Sequence, residues 1–273
     1  MINWLHTFHP QAIFLSFGPI HIYWYGLFMV TGIIIALGIS YKLARFYKIK
    51  TDSLLDISFW LIINGLIGAR IYDILLELPY YLKYPLNMFK VWQGGLAIHG
   101  AIIAGLITVY FFARKRKISL WSLTAIVTPG LALGQAIGRW GNYFNQELFG
   151  LPTTKPWGIP IDLINRPIDY ISNDFFQPTF LYESLGCLSI FFILIGANYL
   201  LIKKGKLNKY YFVLLTAFYL ILYSILRFCL EFIRIDATPT FLNLRWPQVA
   251  SLFIIFGSII LIIFNSYAKK EKK

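Results

Sequence analysis

The chain has 273 residues, of which 58% are hydrophobic and only 14% charged. That balance excludes an ordinary soluble domain and fits a polytopic membrane protein. The formal net charge of +13 could speak for nucleic acid. The basic residues, however, gather at the ends of apolar runs, where membrane proteins carry their orientation signals.

The first Lys or Arg is Lys42. No basic region precedes the first apolar run, so that run is expected to stay in the protein as a membrane span rather than be removed as a signal peptide. Residues 1–18 are aromatic, hold Pro10, His6 and His9, and read as an arm lying on the membrane surface. The two histidines read as surface residues, because nothing nearby completes a metal site. Segments near 19–41, 55–76, 95–113, 119–139, 179–202, 211–234 and 247–267 each approach the roughly 20 residues that a helix needs to cross a bilayer. Cys187 and Cys229 lie inside two of them and read as small core residues, with no disulfide framework or metal-ligand spacing. The prolines at 152, 156, 160 and 167 make helix unfavourable across 151–168. An irregular extracytoplasmic cap with a short hairpin is expected there. The predicted fold is an all-α integral membrane protein, a single polytopic domain over 1–273. It has about seven transmembrane helices, the N-terminal interfacial arm and a small cap at about 140–178.

Charge orients these spans. Lys42, Arg45, Lys48 and Lys50 follow the first, and Arg114 to Lys117 separate the third from the fourth. Lys203, Lys204, Lys206 and Lys209 separate the fifth from the sixth, and Lys269, Lys270, Lys272 and Lys273 end the chain. All four clusters fall on one side, which the positive-inside rule makes the cytoplasm. The N-terminus and the stretches 77–94, 140–178 and 235–246 are then outside. Tyr80, Tyr81, Trp92, Trp140, Trp157 and Trp246 lie in or beside those outer stretches, as aromatics at the headgroup level do.

Several polar residues sit where lipid would penalise them. A charge at the centre of a membrane helix costs about 2.5–3.5 kcal/mol on insertion scales. The run Gly134 to Gly150 nevertheless places Arg139, Asn142, Asn145 and Glu147 at the end of the fourth span. Its glycines at 134, 138 and 141 let a helix or a lipid approach the backbone. Arg139 and Asn142, three apart, share one helical face and suit an anionic headgroup; the other reading is an interfacial arginine that snorkels. Gly65 to Asp73 echoes this run in its glycines and in Arg70. Tyr25 and Gly26 lie early in the first span. His99, near the outer end of the third, is a candidate base or a structural hydrogen-bond partner. In the sixth span Tyr223, Arg227 and Glu231 recur every fourth residue on one face, with Arg234 three beyond. Arg227 and Glu231 alone could be an internal ion pair. Arg70, His99, Arg139, Arg227 and Glu231 all map to the outer halves of spans, which predicts a polar cavity open to the outer leaflet. The residues contain no metal spacing, nucleophile elbow or phosphate loop. They lead to a site for an anionic amphiphile and leave the reaction open.

These motifs resemble, along the whole chain, those of the bacterial prolipoprotein diacylglyceryl transferases. The resemblance is carried by Tyr25-Gly26, Gly68-Ala69-Arg70 and the segment Gly94-Gly95 to His99-Gly100. It is carried most specifically by Gly138-Arg139-Trp140-Gly141-Asn142 through Asn145, Glu147 and Gly150. Pro178 to Glu183 and Arg227-Phe228 through Glu231-Phe232 complete it. The family moves diacylglycerol from phosphatidylglycerol to the lipobox cysteine of a lipoprotein precursor and releases glycerol 1-phosphate. The resemblance implies that enzyme activity in a bacterial inner membrane, with no metal or organic cofactor and no nucleic acid. It implies that Arg139 binds the lipid phosphate, with Asn142, Asn145, Glu147 and Gly150 in the same substrate-binding set. Arg227, Glu231 and Tyr25 would serve the reacting centre and His99 would be the base. This chain has Gln177 and Tyr23 where relatives often carry histidine, so histidines there are not required here. A transporter or flippase for an anionic lipid or solute would use the same arginines, and a non-catalytic assembly scaffold is a third reading.

The topology is directly checkable. A cysteine introduced near Pro160 is expected to react with an impermeant thiol reagent applied to intact cells, and one near Arg116 is not. Labelling of both from outside would overturn the orientation.

Overall fold

The computed structural model describes residues 2–270, so Lys272 and Lys273 of the last basic cluster lie outside the described residues. The helices are α1 (Ile2–Thr7), α2 (Trp24–Phe46), α3 (Thr51–Leu76), α4 (Leu78–Lys83), α5 (Ile98–Lys115), α6 (Leu120–Phe144), α7 (Thr179–Lys203), α8 (Lys209–Leu230) and α9 (Trp246–Lys270). Among the described residues seven of these, all but α1 and α4, are long and apolar enough to cross a membrane. The strands form three separate antiparallel hairpins: β1 (Ile13–Phe17) with β2 (Ile20–Tyr23), β3 (Ile159–Pro160) with β4 (Phe175–Phe176), and β5 (Thr240–Phe241) with β6 (Leu244–Arg245). The chain divides into two compact units, Met1–Ser40 with Ala125–Lys273, and Tyr41–Thr124.

In the first unit the N-terminal arm is more structured than its composition predicts. The first span begins at Trp24 rather than near residue 19, because Ile13 to Tyr23 pair as a hairpin. Its two-residue turn starts at Gly18, whose φ of 58° suits glycine. All the hairpin side chains are exposed, which leaves its apolar residues free to meet headgroups and acyl chains. His6 stacks on Phe175 with ring centroids 3.6 Å apart. The arm is tied to the cap by Gln146, whose amide donates to the Pro10 carbonyl (2.9 Å) and to Asp162 (2.7 Å). The cap folds over a small apolar core of Tyr143, Phe149, Ile159, Ile161, Phe176 and Phe180.

The glycines of the fourth span admit a helix. A Cβ at Gly130 would sit 2.5 Å from the Ala36 carbonyl oxygen, and one at Gly32 would sit 3.0 Å from that of Gly134. α2 and α6 therefore touch backbone to backbone, the close crossing that small residues four apart allow. Polar contacts join α6 to its other neighbours. Ser184 of α7 donates to the Ala136 carbonyl (2.8 Å), and Tyr219 of α8 donates to Gln135 (3.0 Å). Cys187 is buried in α7 as expected, but Cys229 is exposed on α8. An apolar helix face can meet lipid instead of protein, so hydrophobic context alone does not place a cysteine in the core.

In the second unit α3 and α5 cross at Gly68 and Gly100, where a Cβ at Gly68 would lie 2.6 Å from the Gly100 carbonyl oxygen. Asn64 donates to Thr108 across this pair at 2.9 Å.

The α2–α6 crossing can be tested by adding volume. Gly130→Val is expected to cost about 1–3 kcal/mol or more, the usual range for overpacking, read as a lower unfolding temperature in detergent. Gly38→Ala, which meets open space within 4 Å, is expected to leave that temperature unchanged.

Candidate active site

The site starts with the extra turn of α6. The fourth span was expected to end near residue 139, but the helix runs on to Phe144 and stops where Gln146 and Leu148 take φ of 51° and 56°. Asn142 is therefore helical and one turn from Arg139. Arg139 Nη1 donates to Asn142 Oδ1 at 3.2 Å, and Asn142 Nδ2 donates to Glu147 Oε1 at 2.7 Å. Glu147 is exposed and Asn142 is buried.

A carboxylate that sequence reading did not assign to the site sits at its centre. Glu183, one turn into α7, is buried to 2% exposure. Its Oε1 lies 2.9 Å from Arg139 Nη2 and accepts from the Tyr223 hydroxyl at 3.3 Å. Its Oε2 accepts from Arg227 Nη1 at 3.3 Å. Arg227 Nη2 donates to Glu231 Oε2 at 3.0 Å, as their four-residue spacing predicts. Helices α6, α7 and α8 are thus joined through one carboxylate. The signal was present in the sequence. Two arginines inside spans each need an anion, and Glu183 is the acidic residue within the fifth apolar run.

Beyond α8 the chain builds a second ionic group. Glu231 caps α8, and the β5–β6 hairpin turns through Leu242 and Asn243, with φ of 49° and 60°. The hairpin returns Arg245 to the helix end, where it donates to the carbonyls of Arg234 and Asp236 at 2.5 Å each and to Thr238 at 3.0 Å. Arg234 pairs with Asp236 at 2.8 Å. Arg245 Nε lies 3.4 Å from Glu231 Oε1. That is close enough for charge attraction, but Oε1 accepts no hydrogen bond among the described residues. Arg245 and Asp236 were not legible as partners, because only the hairpin brings them back to α8. Burial alone would raise the Asp236 carboxyl. The hydrogen bond and charge of Arg234 and the charge of Arg245 prevail and hold it below the usual carboxylate range.

The remaining candidates divide between the two units. Tyr25, on the first turn of α2, packs on Gly141, where a Cβ would sit 2.6 Å from Tyr25 Cδ2. Asn145 is half-buried just past α6, its backbone N–H bonded to the Gly141 carbonyl at 3.0 Å. Gly150 pairs with Gln177 through its N–H at 2.9 Å, and a Cβ there would meet the Ile233 carbonyl oxygen at 2.8 Å. Gly150 therefore packs the strand-like segment that connects the cap to the α8 end. A groove of about 300 Å³ is lined by Phe28, Leu133, Ile137, Trp140, Ser184 and Leu188, of which Trp140 and Ser184 are the chain neighbours of Arg139 and Glu183.

In the second unit His99 lies on the first turn of α5, exposed, with its ring 5.9 Å from that of Tyr72. Arg70 is committed to backbone. Its Nε donates to the Met88 carbonyl at 2.9 Å, Nη1 to Gly94 and Gly95 at 2.8 Å each, and Nη2 to Asn87. It stitches the loop 87–95 onto α3 and so differs from Arg139, which its sequence context resembles.

Comparison with known proteins decides the family. A prolipoprotein diacylglyceryl transferase family model matches residues 12–264. The chain belongs to this family. A phosphatidylglycerol–prolipoprotein diacylglyceryl transferase of Synechococcus elongatus is 40% identical over 251 residues, covering 91% of this chain and 85% of that one. One from a Nostoc species is 41% identical, covering 89% and 85%. One from Prochlorococcus marinus is 38% identical, covering 97% and 96%. The chain is a multi-pass membrane protein, with seven helices among the described residues able to span.

The Asp236 network carries a pH signature. A carboxyl held below its unfolded value of about 3.9 contributes stability that is complete above that value. The contribution is lost as pH falls through the lower folded value. Asp236→Asn is expected to lower the unfolding temperature at pH 7, with the deficit from wild type shrinking as pH drops below about 3.9. An equal deficit at pH 7 and pH 3 would mean that the carboxylate charge is not what holds this loop.

Proposed function

We propose that this protein transfers the diacylglyceryl group of phosphatidylglycerol to a cysteine thiol of prolipoproteins, forming a thioether and releasing glycerol 1-phosphate. This is the first step of bacterial lipoprotein maturation. The observation that carries the reading is the pair of guanidiniums, Arg139 and Arg227, gathered on Glu183, with an apolar groove lined by the chain neighbours Trp140 and Ser184, in a chain of this transferase family. A phospholipid has the matching shape, a phosphate for the guanidiniums and an acyl chain for the groove.

The chemistry is substitution at carbon. The thiolate sulfur attacks the glyceryl carbon that carries the phosphate, the S–C bond forms, and the C–O bond breaks. Its electron pair stays on the phosphate oxygen. Charge therefore grows on the phosphate as the bond lengthens, and guanidiniums placed there stabilise the transition state more than the ground state. Arg139 keeps N–H groups beyond those given to Asn142 and Glu183, and its side chain is 23% exposed. We assign it the phosphate. Arg227, held between Glu183 and Glu231, faces the reacting centre. Asn142, Asn145, Glu147 and Gly150 shape the lipid side, and Tyr25 closes over Gly141. His99 enters from the family resemblance as the group that takes the thiol proton. The acceptor thiol is the lipobox cysteine of the precursor. The protein works in the bacterial inner membrane, with the N-terminus and cap outside and the C-terminus in the cytoplasm. The transporter reading rested on intramembrane arginines alone, and family membership supplies the chemistry that it lacks.

The test is transfer of isotope from glyceryl-labelled phosphatidylglycerol to a lipobox peptide. Arg139→Lys keeps the charge but loses the planar fork and is expected to lower the rate by about 10²-fold, the scale of losing a transition-state donor. Near-normal transfer by this variant would make Arg139 structural. His99→Gln is expected to lose about 10²–10⁴-fold, the size of a general-base contribution. Raising pH toward the unperturbed thiol value of about 8.5 should restore part of that loss. A folded His99→Gln protein with full activity at neutral pH would remove His99 from the mechanism.

A further inference from the structure

Glu183 is an anion at the centre of a site that must hold another anion. Glu231 links the ionic group around Glu183 to the second one, and together Arg139, Arg227, Arg234 and Arg245 pair with Glu183, Glu231 and Asp236. Four guanidiniums against three carboxylates leave one net positive charge. Glu147 is exposed, and its Oε1 accepts from Asn142 rather than from one of these guanidiniums. Glu183 need not leave for a phosphate to enter. Each guanidinium offers five N–H groups, and Arg139 and Arg227 have each given two of theirs to side chains in the cluster.

We propose that Glu183 is a positioning residue that sets the charge of the phosphate subsite, so that the site accepts a monoanionic phosphodiester and weakens its hold on the dianionic phosphate monoester it produces. The inference rests on the diacylglyceryl-transfer reading above. Substrate phosphatidylglycerol carries one negative charge at its phosphate, which one net positive charge balances. When the C–O bond breaks, the leaving monoester takes the electron pair and, with a second pKa near 6, settles as a dianion. The cluster with its product is then negative overall, and the product is driven out. Without the Glu183 carboxylate the cluster would carry two net positive charges, match the dianion and retain it. The same carboxylate, bonded to both arginines from a third helix, keeps two like-charged forks aimed at one point. Glu183 thereby trades affinity for turnover, which a purely structural ion pair would not do.

Equilibrium binding at pH 8 on purified full-length protein in zwitterionic nanodiscs tests this, with turnover measured separately on added phosphatidylglycerol and a lipobox peptide. The probes are labelled glycerol 1-phosphate and glycerophosphoglycerol, the monoanionic headgroup diester. Wild type is expected to bind the diester at least as tightly as the monoester. Glu183→Gln keeps the shape and loses the charge. It is expected to bind glycerol 1-phosphate about tenfold tighter than wild type, to reverse the preference between the probes, and to turn over about tenfold more slowly with no rise in KM for phosphatidylglycerol. Glu183→Asp, which keeps the charge, should retain the wild-type order of probes. The proposal is overturned if Glu183→Gln binds glycerol 1-phosphate no more tightly than wild type. It is equally overturned, with no variant needed, if wild type prefers the monoester tenfold or more. Failure of the underlying reading looks different: wild type would then make no thioether from phosphatidylglycerol and a lipobox peptide, whatever the probes do.

Discussion

Everything at this site depends on how a guanidinium is kept charged inside a helix bundle that lipid surrounds. Arg139 and Arg227 stand near the ends of two different spans, and neither could be buried there alone. Glu183, from a third span, accepts from both. That single carboxylate fixes the axial register of α6, α7 and α8, because a slide of one helical turn would part at least one of the pairs. It also explains why the arginines are only partly shielded, at 23% and 16% side-chain exposure, while the carboxylate is almost fully enclosed at 3%. Their anion lies inward and their remaining donors point toward whatever enters.

The rest of the first unit supports that arrangement in layers. The glycines of α6 let α2 lie directly on it, which sets Tyr25 against Gly141 and brings Phe28 into the groove that Trp140 and Ser184 also line. The cap core packs on Tyr143 and Phe180, residues of the same helices that carry Arg139 and Glu183. On the other side the β5–β6 hairpin brings back Arg245, which shares Glu231 with Arg227 and binds the carbonyls of the turn after α8. A charged site in the helix bundle thus has an apolar wall on one side and a polar frame built from the cap and the loop after α8 on the other.

Much of this was legible in the chain because membrane burial writes strong signals. Long apolar runs locate the spans, and a polar residue inside one needs a reason. Arg139, Asn142, Arg227 and Glu231 were found that way, and the i,i+4 spacing of Arg227 and Glu231 foretold their contact. Less was legible wherever a partner is remote in sequence. Glu183 is 44 residues from both Arg139 and Arg227, and Arg245 reaches Glu231 only through a hairpin. Arg70 marks the limit of pattern reasoning. Its surroundings mimic those of Arg139, yet its guanidinium is spent on carbonyls of a loop that the sequence does not show folding back. Cys229 marks another, since apolar context in a membrane chain describes lipid-facing surface as well as core.

The central claim is that the phosphate of an anionic phospholipid rests on Arg139 and Arg227, with an acyl chain in the α2–α6–α7 groove. A cryo-EM structure of the protein in phosphatidylglycerol nanodiscs tests it most directly. The account expects phosphate density within hydrogen-bonding distance of both guanidiniums, Glu183 still in place between them, and continuous chain density running past Trp140 and Leu188. Lipid density that fills the groove while its phosphate lies away from both arginines would contradict it.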